Sequence, residues 1–579
     1  MKESEEGSLK SWFVPFTTTK AITFIILIGF AVYFTSFFNG FIADDNGQIL
    51  DNALVHSIGN FFTFFSSGSF SGGNSAGIYY KPIFSIVLSS IYSFFGPIPF
   101  FFHFVQLLIH IANASLVYIL FSKVLKKYYA FFLTLVFLIH PINSEAVVYI
   151  SATQEVLFFF FGIIALILST KKNLKFFDIV LAHVLLLFSL LSKETGVLFV
   201  LMCTIYILVF NRKNFYIYVA SSVIVGLIYS FLRFIVAGIY FNGTTISPIM
   251  EAPIQERLLS MPSILYYYMS TFFFPKALLF NQQWVIQKTS IESFYTPLIV
   301  VLTILFFISL VVVRLLKFSK TTKLYTIFFS VWFVCGIIFH IQLFPLDGIV
   351  ADRWFYFTMV GLLGIIGLFI QNFYKLYNFK HKRIVLFIAS FILIFTLSTR
   401  TIVRTTNWKS PILLYTHDLK LKPNFSLENA LAFEYSEKGD LDKAYIHSKR
   451  SVEIYPSFAN LTNLGAVYAR QGKYKDAKKS YLQAIEKGKT YFPAYENMIL
   501  ILLKHFDEKE AQDFTRKTTE IFPTTEKAWF YRLVAEYKAG EQQEALNAAE
   551  KYYLISNSQQ AQDAYLRLLN NQPLNIEFK

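Results

Sequence analysis

The sequence predicts an all-α protein in two parts, a polytopic bundle of transmembrane helices followed by an α-solenoid of short helical repeats. Three observations predict it. The 579 residues are 55% hydrophobic and only 15% charged, with 67 Phe and 35 Tyr, far more apolar than a soluble chain of this size tolerates, so lipid is the solvent for much of it. Long apolar runs alternate with short basic clusters through residue 404. Beyond that point the composition turns charged and rich in Ala and Tyr, and small residues recur at a fixed spacing.

Apolar runs near 21–38, 101–122, 129–150, 154–170, 176–191, 196–210, 215–236, 295–316, 324–344, 354–372 and 384–400 approach the roughly 17–25 residues a helix needs to cross a bilayer, which makes about eleven spans. The first run lacks a small-residue cleavage pattern and reads as an uncleaved span after a cytoplasmic tail, 1–20. Basic clusters fall at Lys123/Lys126/Lys127, Lys171/Lys172/Lys175, Arg212/Lys213, Arg314/Lys317/Lys320/Lys323 and Lys375/Lys380/Lys382/Arg383. The excess of Lys and Arg in cytoplasmic loops places these inside. The N-terminus is then cytoplasmic, and the 39–100 loop, the Pro141–Thr153 turn, 237–294, 345–353 and everything after 401 are extracytoplasmic. This alternation closes if the apolar stretch 263–280, with Pro262 and Pro275 at its ends, does not cross. The membrane domain is read as 21–404 and the repeat domain as 405–579.

In the repeat domain Ala444, Ala477, Ala511 and Ala545 are 33, 34 and 34 residues apart, Gly439 and Gly472 are 33 apart, and Tyr455-Pro456, Phe492-Pro493 and Phe522-Pro523 end three units. That period belongs to tetratricopeptide repeats, where a small residue on the second helix lets paired helices approach closely. About four repeats fit, and their groove suits peptide or protein recognition.

The net charge of +15 does not indicate nucleic-acid binding, because the basic residues sit largely in short clusters between apolar runs, where they orient spans. Cys203 and Cys335 lie inside apolar stretches, so no disulfide framework or thiolate metal site is indicated. There is no phosphate-binding loop, dinucleotide glycine fingerprint or metal-ligand spacing. A soluble nucleotide donor is therefore unsupported, and participation of a divalent cation is left open.

Acidic and basic residues instead gather at the outer ends of spans. Asp44 and Asp45 follow the first span in FIADDNGQILDN, where paired carboxylates raise one pKa and can serve as a general base for a hydroxyl; solvated loop charges are the competing reading. His103 and His110 lie seven residues apart on one face of an apolar helix. Ionisable groups there point to function, although histidines satisfied within the bundle explain them equally. His140 and Glu145 in IHPINSEAVVY, and Lys193 and Glu194 in LLSKETG, share the outer face. Asp347, Asp352 and Arg353 lie in FPLDGIVADRWFYF, where an arginine fork suits a phosphate and a plain interfacial ion pair is the alternative. Charged groups beside lipid suit a donor that itself lives in the membrane.

The order FIADDNGQILDN, YYKPIFS, FHFVQLLIHIAN, IHPINSEAVVYISATQEVL, LLSKETGV, FPLDGIVADRWFYF, TTNWKSPILLYTHDLKLKPN and then the repeats resembles the transmembrane and tetratricopeptide-repeat-containing O-mannosyltransferases and their prokaryotic relatives, within the GT-C class of glycosyltransferases. The resemblance implies a GT-C-type membrane fold and an inverting hexosyltransferase, which takes a mannose-like sugar from a polyprenyl- or dolichyl-phosphate donor to an extracytoplasmic acceptor. Protein Ser/Thr hydroxyls are the expected acceptor and a glycan the alternative. It further implies that Asp44 or Asp45 is the base, that His140 and Glu145 shape the pocket, and that Arg353 and Lys193 contact the donor phosphate, with Lys81, His103, His110, Glu194 and Asp352 counted among the donor-binding candidates. Family members carry Arg where this chain has Lys81, which keeps the charge but loses the fork. The rival from another class is a non-catalytic membrane anchor whose repeats assemble extracytoplasmic proteins. A lipid-linked glycan flippase ranks below it, because the membrane part shows no internal repeat. Residue usage favours a prokaryotic plasma membrane over the endoplasmic reticulum. Which sugar is moved and the oligomeric state are not written in the sequence.

Overall fold

A computed structural model describes residues 16–70, 79–240, 247–376 and 381–574. Lys380 and most of the N-terminal tail lie outside these. Among the described residues the structure is helical, with one isolated antiparallel bridge between Gln282 and Val350. Contacts divide the chain into two units, Met1–Lys422 and Pro423–Lys579. The division falls after Lys422 rather than after Arg404 because the Pro411–Leu421 helix belongs to the membrane unit: Arg404 holds Asp418 through two hydrogen bonds of 2.7 and 3.1 Å, and Asp418 also accepts from the Phe280 N–H at 2.7 Å.

The protein is a multi-pass membrane protein. Eight helices among the described residues are long and apolar enough to cross a bilayer: Thr18–Phe38, Pro99–Ser122, Ile150–Ser169, Arg212–Val236, Ile291–Leu315, Lys320–Ile338, Asp352–Tyr374 and Ile384–Asn407. The run predicted at 129–150 forms two helices, Lys127–Ile139 and Pro141–Val148, bent by 48°. The break falls at His140 because a residue before proline is pushed out of the helical region; His140 has φ −67° and ψ 129°. The runs at 176–191 and 196–210 form the shorter helices Phe176–Ser192 and Val197–Phe210, parted at Lys193–Gly196. The stretch 263–280 is helical only to Phe273, as the end of an Ile254–Phe273 helix that is not among the eight. The 39–100 loop contains a further apolar helix, Pro82–Phe95, whose Phe84 and Leu88 pack with Ile49, Val55 and Phe64.

Exposed Phe306, Phe307, Phe387 and Phe395 give the Ile291–Leu315 and Ile384–Asn407 helices outward apolar faces, as lipid requires. Inside the bundle, close helix approach needs small residues. A Cβ on Gly361 would lie 2.5 Å from the backbone nitrogen of Phe333, so the helices beginning at Lys320 and Phe355 meet backbone to backbone.

In the second unit four helix pairs follow the predicted period, Phe425–Glu437 with Leu441–Ile454, Phe458–Arg470 with Tyr474–Lys487, Phe492–His505 with Glu508–Ile521, and Glu526–Lys538 with Gln542–Ser556, and a last helix, Gln559–Leu569, closes the stack. Ala444, Ala477, Ala511 and Ala545 are all buried at the helix contacts. Gly439, Gly472 and Gly540 turn three of the pairs at φ 75° to 79°, a backbone that a side chain would strain. The third pair turns on Asp507, whose carboxylate accepts from the Lys509 N–H at 2.8 Å.

Candidate active site

Beyond the first span the chain runs through Asn39 and Gly40, which are tied to the backbone of Thr405 and Lys409. It then reverses at Ala43, whose φ of 51° is left-handed, a conformation a non-glycine residue keeps only when its surroundings enforce it. Asp45 does the enforcing. One oxygen of its buried carboxylate accepts from the Ile42 N–H at 2.9 Å, and the other from the Ser151 N–H at 2.8 Å and the Ser151 hydroxyl at 2.5 Å. Burial pushes Asp45 up to about 7 against these bonds, with Asp44 adding to the rise. Asp44, with its N–H on the Tyr149 hydroxyl at 3.2 Å, keeps its carboxylate open toward a cavity of about 450 Å³. The two predicted aspartates thus part: one lines the cavity and the other builds the turn.

Six segments supply the polar lining of that cavity. Asp44 and Gln48 come from the first turn, Tyr79 and Lys81 from the start of the Pro82–Phe95 helix, Tyr149, Ser151 and Gln154 from the Pro141 segment, Lys193 and Glu194 from the break, Arg233 from the end of its span, and His340, Asp347, Arg353 and Trp354 from the connection between the Lys320–Ile338 and Phe355–Leu376 helices. Of the predicted site residues, Asp44, Lys81, Lys193, Glu194 and Arg353 come together here.

Most of the charges are already matched. Arg353 pairs with buried Glu145 through its guanidinium, its backbone N–H reaches the same carboxylate at 3.1 Å, and its Nε lies 3.9 Å from Glu155. Glu155 also pairs with Lys193, and Arg233 holds Glu194 at 2.8 Å. Tyr79 donates to Asp347. Lys81 differs: it is buried, its ammonium sits 4.1 Å from the Tyr79 ring centroid, and among the described residues it has no hydrogen-bond acceptor or ion pair. Burial lowers its pKa to about 8, Lys193 lowers it further, and Glu194, Asp347 and Glu155 oppose the shift. Asp44 is raised above the ordinary carboxylate range, first by desolvation and also by Asp347, while Tyr149, Arg353 and Lys81 pull it down. A carboxylate of raised basicity and a buried ammonium without a direct ion pair therefore share one cavity, as proton abstraction beside an anion requires.

Six predicted residues do not line the cavity, Asp45 of the turn among them. His110 is used up between the Tyr356 hydroxyl at 2.8 Å and the Leu138 carbonyl at 2.9 Å, and His103 is buried on the same helix. His140 accepts from the Ile142 N–H at 3.2 Å and donates to the Phe272 carbonyl at 2.9 Å, so it pins the Ile254–Phe273 helix to the break. Asp352 points away to accept from Tyr267. Glu145 acts from behind, as the counter-charge of Arg353. For His103 and His110 the reason is helical phase, which turns both side chains into the bundle.

Sequence reasoning missed Tyr79, Tyr149, Glu155, Arg233 and His340. Glu155 and Arg233 carried a signal, a charge inside an apolar run; the tyrosines carried none. Among the described residues no group of three or more His, Cys, Asp or Glu side chains could hold a metal ion.

No protein-family model matches the chain. It is 22% identical over 514 residues to the mouse protein O-mannosyl-transferase TMTC3, covering 80% of this chain and 54% of the relative. Against the Caenorhabditis elegans protein O-mannosyl-transferase F38B6.6 the figures are 24% over 489 residues, 81% and 63%. The chain is similar, at low identity, to proteins named protein O-mannosyl-transferase. Four-fifths of the chain is more than the membrane unit holds alone, so both parts contribute to the likeness. The chain spans just over half to under two thirds of the length of these transferases.

Proposed function

We propose that this protein is a membrane glycosyltransferase that moves a mannose-like sugar from a polyprenyl-phosphate donor to a hydroxyl of an extracytoplasmic protein, with the repeats recognising the acceptor. One observation carries the reading: Asp44 and Lys81, which has no direct ion pair, line the same cavity at one end of the helix bundle. In the reaction the acceptor O–H gives its proton to the Asp44 carboxylate as its oxygen forms a bond to the anomeric carbon. The bond from that carbon to the phosphate oxygen breaks on the opposite face, and its electron pair leaves with the lipid phosphate. Lys81 stabilises the charge that develops there. Arg353 and Lys193 hold the wall through Glu145 and Glu155, which ties their cationic heads down before the donor arrives. The names of the relatives support the sugar and the acceptor class, and the basic clusters support a chamber on the extracytoplasmic side.

The test is transfer of radiolabelled hexose from a polyprenyl-phosphate donor into protein, in membranes holding equal amounts of wild type or Asp44→Asn. Loss of a general base costs about 10²- to 10⁴-fold, so label should fall to background in the variant. Equal labelling in both would overturn the assignment and leave a repeat-bearing anchor.

A further inference from the structure

One wall of the cavity carries a buried histidine that the proposed reaction does not use. His340 follows the Lys320–Ile338 helix and is only 5% exposed, yet it lines the cavity. Its Nδ1 lies 2.8 Å from the Gly336 carbonyl, one helical turn back. A carbonyl can only accept, so Nδ1 carries the proton. One face of the ring is stacked on Trp354, with centroids 5.5 Å apart and planes at 24°. The edge left to meet the cavity is the one that bears Nε2, and among the described residues Nε2 has no hydrogen-bond partner.

The chain around the ring is pinned. Beyond His340 it turns at Gln342, whose φ of 64° is left-handed. The Gln342 amide donates to the Gly348 and Ile349 carbonyls at 2.8 and 2.9 Å, and its oxygen accepts from the Leu346 N–H at 2.9 Å. Helix, turn and indole together fix the direction in which Nε2 looks. Burial lowers the pKa of His340 to about 3, with the Lys193 ammonium adding to the fall, so the imidazole is neutral and a weak base. Nε2 is then an acceptor without charge. The ionised phosphate diester of a lipid-linked sugar has no proton to give it, whereas a hydroxyl has. In the proposed reaction Asp44 takes the reacting hydroxyl and Lys81 the phosphate. A hexosyl group brings further hydroxyls that do not react, and a neutral acceptor can orient one of these without deprotonating it.

We infer that the His340 Nε2 accepts a hydrogen bond from one non-reacting hydroxyl of the transferred sugar, which makes His340 a specificity-determining residue. The inference rests on the reading of this cavity as the transfer site. A ring that only caps its helix and packs on Trp354 is the competing account. Two amide side chains separate the nitrogens: Asn places its amide near the Nδ1 position, where it can keep the Gly336 bond with nothing at Nε2, and Gln reaches the Nε2 position, where it can present its oxygen.

The experiment measures the Kd of polyprenyl-phosphate mannose and of its 2-, 3-, 4- and 6-deoxy analogues on the full-length protein in detergent, carrying Asp44→Asn so that no turnover consumes the ligand. One analogue should bind at least about tenfold more weakly than the parent, because a site built to bind a hydroxyl is left with an unpaired buried group. Adding His340→Asn should bring that one penalty to within about twofold and leave the other three as they were, and His340→Gln should retain most of it. All four penalties unchanged by His340→Asn, or a uniform weakening of all five ligands, would overturn the inference and leave the transfer reading in place. No binding of any of the five would overturn both. Because binding rather than transfer is read, failure of Asp44 as the base leaves this result standing.

Discussion

Replacing Asp45 by Asn separates a residue that builds the site from one that performs chemistry in it. The carboxylate accepts three hydrogen bonds, one from Ile42 on one oxygen and two from Ser151 on the other. An amide keeps only one oxygen. Turned either way, its NH₂ faces a backbone N–H, and the better orientation keeps Ser151 and gives up Ile42. That sacrifices one charge-assisted bond, about 1.5–3 kcal/mol, beside Ala43, whose left-handed backbone costs about 1–2 kcal/mol to hold. Asp44 then loses its fixed aim, and transfer should fall roughly 10- to 100-fold, less than for loss of the base itself. The loss depends on pH with a definite sign. Burial raises Asp45 to about 7, so the native carboxyl is protonated below that value and charged above it. At about pH 6 the wild type already carries a neutral group there and the variant should nearly match it, whereas by about pH 8 the full deficit appears. The assay is hexose transfer from polyprenyl phosphate at both values, beside Asp44→Asn, which should be inactive throughout. A deficit in Asp45→Asn equal to that of Asp44→Asn at both pH values would assign chemistry to Asp45 and refute the reasoning. No deficit at either would show that the three bonds do not hold the turn.

Lys81 loses its charge as pH rises through about 8, so transfer should decline above that value. Lys81→Arg, whose guanidinium does not titrate there, should abolish the decline, and Lys81→Met should cut transfer about 10- to 100-fold with the loss in kcat. Asp418→Asn removes the counter-charge of Arg404, and both are buried. Breaking such a pair costs about 3–5 kcal/mol, which should appear as a lower Tm when a thiol-reactive dye reports exposure of buried Cys203. Replacing both partners by leucine should recover part of that loss. Gly361→Leu drives a side chain into the Phe333 backbone and should cost at least about 1–3 kcal/mol, read as aggregation on size-exclusion chromatography of the detergent extract.

The two parts of the fold were legible because each follows from a local regularity. A run such as 384–400 has no way to satisfy its backbone in lipid except as a helix, and the 33- and 34-residue spacing of Ala444, Ala477, Ala511 and Ala545 requires stacked pairs. The site was legible in part. Asp44, Lys193, Glu194 and Arg353 could be placed at span ends from hydropathy and charge alternation, since a charge at the boundary of an apolar run marks where helix meets water; Lys81, inside the 39–100 loop, entered only through the resemblance. Arg233 and Glu155 were readable only residue by residue, as single charges inside apolar runs, because a run's average hydropathy masks one polar residue.

The sequence by itself therefore determined which segments are apolar helices, the period of the repeats, and that charge gathers at one end of the bundle, because these depend on composition and period along the chain. The tertiary structure decided which carboxylate looks into the cavity and which holds the turn, that Arg353 and Lys193 are bound by Glu145 and Glu155 while Lys81 has no direct ion pair, and that His110 and His140 are spent on backbone carbonyls. Those outcomes rest on helical phase and on partners far apart in sequence. Asp45 meets Ser151, and Glu145 meets Arg353, only once separate helices have packed, because a side chain's surroundings are set by its neighbours in space, which no local pattern encodes.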